Sequence, residues 1–255
     1  MTQKITIHKK NEIVRGTDDY SLMAKRALNT IYWAVQKHDL YNSPEINIRF
    51  STLREKMNLT STNDYVEDIK SALIELRKPM ELNHYYHPVD KREYLWLSIS
   101  FLDKAGFSKN DQGEWIVNIS VNALIRHLMQ IDGNFTKLEL LPYLHKFRTK
   151  YATKLYEYLS SFKGYRYLDI SQKHLMQLLA LSEDSKYKYY SQLKELLERQ
   201  LKEIAKKSDL TEVKLMSSKL LTKEKKFRIQ INPKSKKDAD KLEAQTAIDS
   251  LIKRF

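Results

Sequence analysis

The sequence contains no cysteine and only five glycines among its 255 residues. Without cysteine the chain cannot form a disulfide, a thiolate zinc site, an iron–sulfur cluster or a cysteine nucleophile, which is typical of proteins in a reducing cytosol. The five glycines are too far apart for a G-x-G-x-x-G turn or a G-x-x-x-x-G-K-[ST] phosphate loop. The sequence therefore disfavours ATP binding by those folds, and we expect no cofactor and no metal.

Long apolar runs are also missing. No stretch approaches the roughly 20 apolar residues that cross a membrane, and the first twelve residues, MTQKITIHKKNE, lack the apolar core of a signal peptide. No lipidation signal or basic amphipathic helix indicates attachment to a membrane. We expect a cytoplasmic protein with no membrane partner, and the 42% of apolar residues are enough for the core of one large or two ordinary domains.

Basic and aromatic residues are abundant instead. Lysine and arginine number 45 against 32 acidic residues, a formal net charge of +13, and the chain has 16 Tyr, 8 Phe and 3 Trp. The excess is uneven, because residues 1–133 hold 18 basic and 17 acidic side chains whereas residues 134–255 hold 27 and 15. Such asymmetry favours a binding surface for a polyanion such as DNA. A merely soluble basic surface remains the alternative.

The first half of the chain alternates helix and strand patterns. Asp18 and Asp19 are suited to cap a helix at residues 20–38, whose apolar residues recur at helical spacing. The patterns that follow predict, in order, a strand at 46–50, a short helix capped by Ser51, a helix at 63–78 capped by Thr60 or Ser61, strands at 81–89 and 92–102, a loop with Gly106 and Gly113, and a strand at 114–120. This is the order of a winged helix, in which two helices form a helix-turn-helix and a β-hairpin forms the wing.

The second half repeats this plan. The patterns predict a long helix at 140–164, a strand at 167–170, a helix capped by Ser171, a helix at 186–207, and strands at 212–216 and 225–232. In each half a leucine, Leu59 or Leu181, is followed six residues later by a tyrosine, Tyr65 or Tyr187. We therefore predict an α+β fold of two tandem winged-helix (helix-turn-helix) domains related by an internal pseudo-repeat. The predicted domains are residues 1–132 and 133–233, with a tail or helix at 234–255. One large α+β domain is the alternative.

The segment FRTKYATKLYEYLSSFK, residues 147–163, resembles the stretch that opens the second domain of the Rep initiators of iteron-controlled, theta-replicating plasmids. The matching positions are Tyr151, Ala152, Lys154, Leu155, Tyr156, Glu157, Tyr158, Leu159, Phe162 and Lys163. Weaker matches lie at Lys10–Ile13 and at Glu203–Ile204, where Ala205 replaces the asparagine of the family. The resemblance covers roughly residues 5–233.

This resemblance implies a function and partners. The second domain would bind repeated origin sequences, the iterons, in the major groove of double-stranded DNA. The first domain would support a second DNA contact and form the homodimer that represses the protein's own promoter. A host initiator protein and the replicative helicase are the expected partners, and the chain itself is expected not to be an enzyme.

Base reading by a helix-turn-helix uses the N-terminal part of its second helix and the polar residues around it. In the second domain these candidate DNA-binding residues are Lys186, Lys188, Tyr189, Tyr190, Gln192 and Lys194, with Lys173 before the turn and Lys223, Lys225 and Lys226 in the wing. Tyr187 is expected to pack inward. The resemblance adds Arg148 and Lys150 as phosphate contacts. In the first domain the corresponding positions are Thr60, Ser61, Thr62, Asn63 and Lys70, and nearby acids predict a weaker contact.

Two alternatives remain. A rolling-circle initiator nicks DNA with a tyrosine and holds a metal with two histidines on one face of a strand. His84 and His87 are three residues apart, so on a strand they point to opposite faces, and the Tyr151-x-x-Lys154 pattern lies within a predicted core helix. A winged-helix transcriptional repressor with no replication role is the second alternative, which flanking DNA would distinguish through its repeats.

Overall fold

The structure, a computed structural model, describes residues 5–59, 65–87, 91–131, 133–141, 144–216, 222–232 and 234, the side chains of residues 83, 84, 87 and 141 excepted. The chain forms two compact units, residues 1–153 and residues 154–255. The sequence places the division after residue 132, whereas residues 135–141 form a strand that pairs with residues 5–10 and belongs to the first unit.

The elements follow the chain in order. In the first unit the helices are α1 (Asn11–Arg15), α2 (Leu22–Lys37), α3 (Phe50–Lys56), α4 (Val66–Glu75) and α5 (Ala123–Leu128). Its strands are β1 (Ile5–Lys10), β2 (Ile46–Arg49), β3 (Pro79–His87), β4 (Arg92–Ser100), β5 (Leu102–Lys109), β6 (Trp115–Val121) and β7 (Phe135–Leu141). Helix α6 (Lys150–Ser160) spans the division between the units. The second unit contains β8 (Tyr167–Ser171), α7 (Gln172–Leu178), α8 (Tyr190–Lys207), β9 (Lys214–Met216) and β10 (Lys226–Gln230).

Both units have the winged-helix topology, which confirms the predicted fold of tandem winged helices. In the first unit α2 is followed by β2, α3, α4 and the hairpin β5–β6, and the sheet order is β2-β6-β5. In the second unit α6 is followed by β8, α7, α8 and the strands β9 and β10, and the sheet order is β8-β10-β9. In each winged helix the last strand, β6 or β10, therefore pairs with the first strand, β2 or β8, as the pseudo-repeat requires.

The first unit carries one hairpin that the second unit does not show among its described residues. Strands β3 and β4 pair with each other and lie between α4 and the wing β5–β6. The sequence-predicted loop with Gly106 is wrong in part, because Gly106 lies within β5 opposite Asn118 of β6. Gly113 does lie in the turn between β5 and β6, where its φ of +77° suits a residue without a Cβ atom.

Helix α2 is the centre of the first core and begins differently from the prediction. Ser21, rather than Asp18 or Asp19, is the N-cap, and its hydroxyl oxygen accepts a hydrogen bond from the Ala24 N–H at 3.2 Å. Asp18 instead forms an ion pair with the buried Lys25. The Ser21 hydroxyl also donates to the Glu75 carboxylate at 2.5 Å, which ties the start of α2 to the end of α4.

Helix α6 begins ten residues later than the pattern predicts. Residues 135–141 form β7, and a single 3₁₀ turn follows at Leu144–Lys146. Leu144 and Phe147 are both buried although neither belongs to α6. An apolar periodicity alone therefore could not show where the strand ends and the helix begins.

The part of the Rep-like stretch that lies in the second unit, residues 154–163, contributes to the core of that unit. Leu155, Tyr156, Tyr158, Leu159 and Phe162 of this stretch are all at most 1% exposed. The Tyr156 hydroxyl donates to the Asp209 carboxylate at 3.0 Å, so even its polar atom is satisfied inside the unit. No helix in the described ranges is long and apolar enough to cross a membrane.

Candidate nucleic-acid interface

The helix-turn-helix of the second unit consists of α7 and α8. Ser171 caps α7, as predicted, by accepting a hydrogen bond from the His174 N–H at 3.2 Å. Before α8, the chain forms a 3₁₀ turn at Lys186–Lys188, and Tyr189 is extended, with φ −85° and ψ 139°. The predicted helix start at Lys186 is therefore four residues early. Lys186 and Lys188 lie just ahead of the α8 N-terminus, where free N–H groups and the helix dipole favour an anion.

The adjacent tyrosines Tyr189 and Tyr190 have different environments. The Tyr190 ring stacks on Phe227 with centroids 4.5 Å apart and planes within 5°, and its hydroxyl donates to the Lys226 carbonyl at 2.9 Å. Tyr190 therefore joins α8 to the wing strand. Tyr189 is 60% exposed, and the Lys188 ammonium lies 5.4 Å from its ring centroid. Of these two tyrosines, Tyr189 is the one whose ring is exposed and accessible to a binding partner.

Tyr187 is half-buried and contacts two cations. The Arg199 guanidinium donates to its hydroxyl at 3.4 Å, and the Lys186 ammonium lies 5.1 Å from its ring centroid. Burial alone would raise the pKa of the Tyr187 hydroxyl, but the hydrogen bond from Arg199 and the charge of Lys186 lower it overall. The cluster thus concentrates positive charge at the start of α8.

Helix α8 separates a buried face from an exposed face. Its buried residues are Leu193, Leu196, Leu197, Gln200, Leu201 and Ile204. Gln192 is exposed, and Arg199, two turns later, lies on the same side. Lys194 is two positions from Gln192, about 200° around the helix, and pairs with Glu198 at 3.8 Å. The structure does not bring Gln192 and Lys194 to one face.

Sequence patterns alone did not single out Arg199, Lys202 and Lys206. All three are exposed on α8. The signal was available in the sequence, because Arg199 follows Gln192 by seven residues and Lys202 and Arg199 are three apart, the spacing of neighbours on a helix surface.

The wing of the second unit contacts the start of α7. The Lys225 carbonyl accepts a hydrogen bond from the Gln172 N–H at 2.8 Å. Lys225 and Lys173 line one groove of about 420 Å³, so the structure brings these two predicted residues together. Lys223 is exposed, and Lys226 forms an ion pair with Glu224 at 3.0 Å.

The predicted phosphate contacts Arg148, just before α6, and Lys150, its first residue, belong to the first unit. Arg148 is exposed. The Lys150 ammonium, however, pairs with the Asp19 carboxylate at 2.5 Å and contacts the Tyr151 ring at 5.5 Å from its centroid. Lys150 would therefore have to break its ion pair with Asp19 before its ammonium could bind a phosphate.

The helix-turn-helix of the first unit is less basic. Lys70 is exposed on α4 and pairs with Glu67 at 3.2 Å. The predicted residues Thr60, Ser61, Thr62 and Asn63 lie outside the described residues. Helix α4 carries three acidic side chains and one lysine, whereas residues 186–207 carry seven basic and three acidic side chains. The second unit as a whole holds 23 basic and 14 acidic residues.

Comparison with known proteins identifies one family. The family model described as "Initiator Replication protein, WH1" matches residues 6–160. Among solved structures, the chain is similar to a crystal structure of domains 2 and 3 of RctB as selenomethionine derivatives, with 16% identity, a TM-score of 0.45, and 83% of this chain and 80% of that chain covered. A second structure of RctB domains 2–3 has 12% identity, a TM-score of 0.43, and coverage of 82% and 81%. No curated protein sequence matches the chain.

Proposed function

Since the chain belongs to the family of initiator replication proteins, we propose that it initiates plasmid replication by binding direct repeats, the iterons, at the origin. The second unit is the primary reader of double-stranded DNA in this proposal. The first unit supports an auxiliary DNA contact and forms a homodimer that represses the protein's own promoter.

One observation carries the assignment of the reading surface to the second unit. Lys186 and Lys188 lie ahead of the α8 N-terminus, and Gln192 and Arg199 share the exposed side of the helix that follows. In a helix-turn-helix this end of the second helix enters the major groove, where glutamine can pair with adenine and arginine with guanine. The flanking lysines suit the phosphates on either side of the groove.

The homodimer in this proposal uses the β3–β4 hairpin. No described strand pairs with the outer edge of β4, and this strand exposes Leu95 by 62% and Trp96 by 58%. Neighbouring strand residues point to opposite faces, so apolar side chains are exposed on both faces of the hairpin. A free edge flanked by apolar side chains favours pairing with a second copy of the same strand.

The proposal assigns DNA binding, not catalysis, to this chain. A host initiator protein and the replicative helicase then supply the opening and unwinding of the duplex. The alternative nicking chemistry has a simple test. Purified chain with Mg²⁺ or Mn²⁺ should leave supercoiled plasmid DNA intact, and nicking that disappears in Tyr151→Phe would contradict the proposal.

The experiment that tests the proposed function uses the DNA beside the coding region. We expect direct repeats spaced by about two helical turns next to an A·T-rich stretch, which the purified chain shifts in a gel and which support replication of a plasmid lacking its own origin. Binding only to an inverted repeat at the promoter, without replication, would indicate a transcriptional repressor instead.

A further inference from the structure

The wing of the first unit ends in a turn with a complete hydrogen-bond network. The Asn110 side-chain oxygen accepts from the Gln112 N–H at 3.1 Å and from the Glu114 N–H at 2.8 Å. The Gly113 N–H donates to the Asn110 carbonyl at 2.9 Å. These bonds fix the two strand ends that the turn connects.

Lys109 and Trp115 are the residues that this turn holds opposite each other. They are cross-strand partners at the ends of β5 and β6, so their side chains project from one face of the wing. The Lys109 ammonium lies 5.0 Å from the Trp115 ring centroid, and Trp115 is 47% exposed. The wing therefore ends in an exposed indole beside a positive charge.

The aromatic residues behind Trp115 hold it in place. Phe107 contacts it edge to face with centroids 6.5 Å apart, and Phe50 contacts Phe107 in the same manner at 6.0 Å. The planes of the two pairs differ by 86° and 64°, so the rings do not form a flat surface on which successive unpaired bases could stack. A single projecting indole is better suited to contact the wall of a duplex groove than to bind single-stranded DNA.

The acidic side chains of the turn leave the Lys109 ammonium beside the Trp115 indole. The Glu114 carboxylate accepts a hydrogen bond from the Asn110 amide at 3.0 Å and lies 3.6 Å from the Arg49 guanidinium. Arg49 is therefore a second cation beside the wing. Asp111 is exposed in the turn and is the acidic side chain that a phosphate would have to avoid.

The position of this pair in the fold is that of the second unit's wing. The hairpin β5–β6 corresponds to β9 and β10, because each follows the second helix of its helix-turn-helix and each ends in the central strand of its sheet. Lys223 and Lys225 precede β10 and Lys226 is its first residue, and these three are the predicted wing contacts of the second unit. A wing in this position lies beside the groove that the neighbouring helix occupies.

We infer that Lys109 and Trp115 form a duplex-DNA contact of the first unit, with the ammonium on a phosphate and the indole against the adjoining sugar. The contact is independent of base sequence, so it does not contribute to the sequence that the second unit reads. It rests on the proposed function and assigns the auxiliary contact to the wing rather than to Lys70 of α4.

The test measures binding of the full chain to two duplexes. Both contain the site that wild-type protein enriches from a random-sequence library, one trimmed to that site and one extended by about one helical turn on each side. Trp115→Ala and Lys109→Ala should each weaken binding to the extended duplex about threefold to tenfold, and neither should change binding to the trimmed duplex. Trp115→Phe should recover part of the loss, and Lys109→Ala should lower the log–log salt slope by about one.

The control variant is Phe135→Ala, because Phe135 is an exposed aromatic residue of the same unit that lies on β7, outside both the wing and the β3–β4 hairpin. Equal binding of Trp115→Ala and wild type to the extended duplex overturns the inference, and so does a loss seen only with a single-stranded oligonucleotide. A wild-type chain that enriches no sequence contradicts the proposed function instead. The wing is then tested on the extended duplex with any sequence, since phosphate and sugar contacts do not depend on base identity.

Discussion

Tyr190 stacks on Phe227 with ring centroids 4.5 Å apart, while the adjacent Tyr189 is 60% exposed. Phe227 is a core residue of β10, so the stacked pair fixes the start of α8 to the wing strand. Two neighbouring residues of identical type therefore have separate roles, one in the stability of the second unit and one at its surface. Their substitution separates folding from DNA binding.

Tyr190→Ala should destabilise the second unit by about 2 kcal/mol, because it removes a packed aromatic ring and the hydrogen bond to Lys226. Tyr190→Phe should cost about 1 kcal/mol through loss of the hydrogen bond alone. Amide hydrogen exchange in α8 measures both changes. All three tryptophans, Trp33, Trp96 and Trp115, lie in the first unit, so the fluorescence-detected unfolding of that unit is the internal control. Equal protection of α8 in wild type and Tyr190→Ala would contradict the structural role.

Tyr189→Ala should leave stability within about 0.5 kcal/mol of wild type, since the side chain is mostly exposed. It should nevertheless weaken binding to repeat DNA, because its ring and the adjacent Lys188 lie at the end of α8 that we propose enters the major groove. Fluorescence anisotropy with a labelled repeat duplex measures the change, and hydrogen exchange verifies the fold. Unaltered affinity would remove Tyr189 from the interface.

Gln192→Ala should reduce the preference for the repeat over a scrambled duplex by about tenfold, the size of one bidentate base contact. Binding to the scrambled duplex should not change, because Gln192 carries no charge. Glu195→Ala, on the same exposed helix surface, removes a negative charge and should strengthen binding to both duplexes alike, so it is the control for a change that does not depend on base sequence. If both duplexes lose affinity equally in Gln192→Ala, the side chain does not read a base.

Leu95→Lys should raise the dissociation constant of the homodimer at least about tenfold, because a lysine on a free edge strand opposes pairing with another strand. Leu95 is 62% exposed, so the monomer should stay folded. Sedimentation velocity over a concentration series measures the equilibrium, with Trp115→Ala as a variant that should dimerise normally. A wild-type chain that stays monomeric throughout would contradict the proposed dimer.

Acid should destabilise the first unit through His145, which is 1% exposed. Burial lowers the pKa of its imidazole to about 3, with a further contribution from the charge of Arg26, against an ordinary value of 6.5. Below pH 6.5 the unfolded chain therefore binds a proton that the native unit does not, and stability falls as the pH falls. Between pH 7 and pH 5.5 the loss should be about 1.3 kcal/mol.

Tryptophan-detected urea unfolding of wild type and His145→Gln measures this loss. The variant should be less stable at pH 7, because the buried site fits the imidazole, but its stability should change less with pH. The same pH dependence in both proteins would show that other groups cause the acid destabilisation.

The sequence predicted the fold better than the positions of its side chains. The helices α2 and α8 were recognisable because their leucines and isoleucines repeat at helical spacing over many residues. Strands β1 and β7 were not predicted, since β1 pairs with a strand some 125 residues away and a pairing of that separation leaves no local signal. Ser21 could not be distinguished from Asp18 as the cap, because the choice depends on Lys25 and Glu75.

In the candidate site, too, local patterns could be predicted and contacts between residues distant in sequence could not. The lysines around α8 were identified from charge and position, whereas the stacking of Tyr190 on Phe227 and the pairing of Lys150 with Asp19 join residues distant in sequence. The pairing of Lys109 with Trp115 was not predicted, because the two residues become neighbours only across the hairpin β5–β6.

The most direct test of the account compares two double variants that remove the same charge. Lys186→Ala with Lys188→Ala removes two lysines beside α8, and Lys70→Ala with Lys78→Ala removes two exposed lysines of the first unit. We expect the first double variant to weaken binding to repeat DNA at least about tenfold and to lower the log–log salt slope by about two, while the second stays within about twofold of wild type. An equal loss of affinity in both double variants would contradict the assignment of the second unit as the primary reader of DNA.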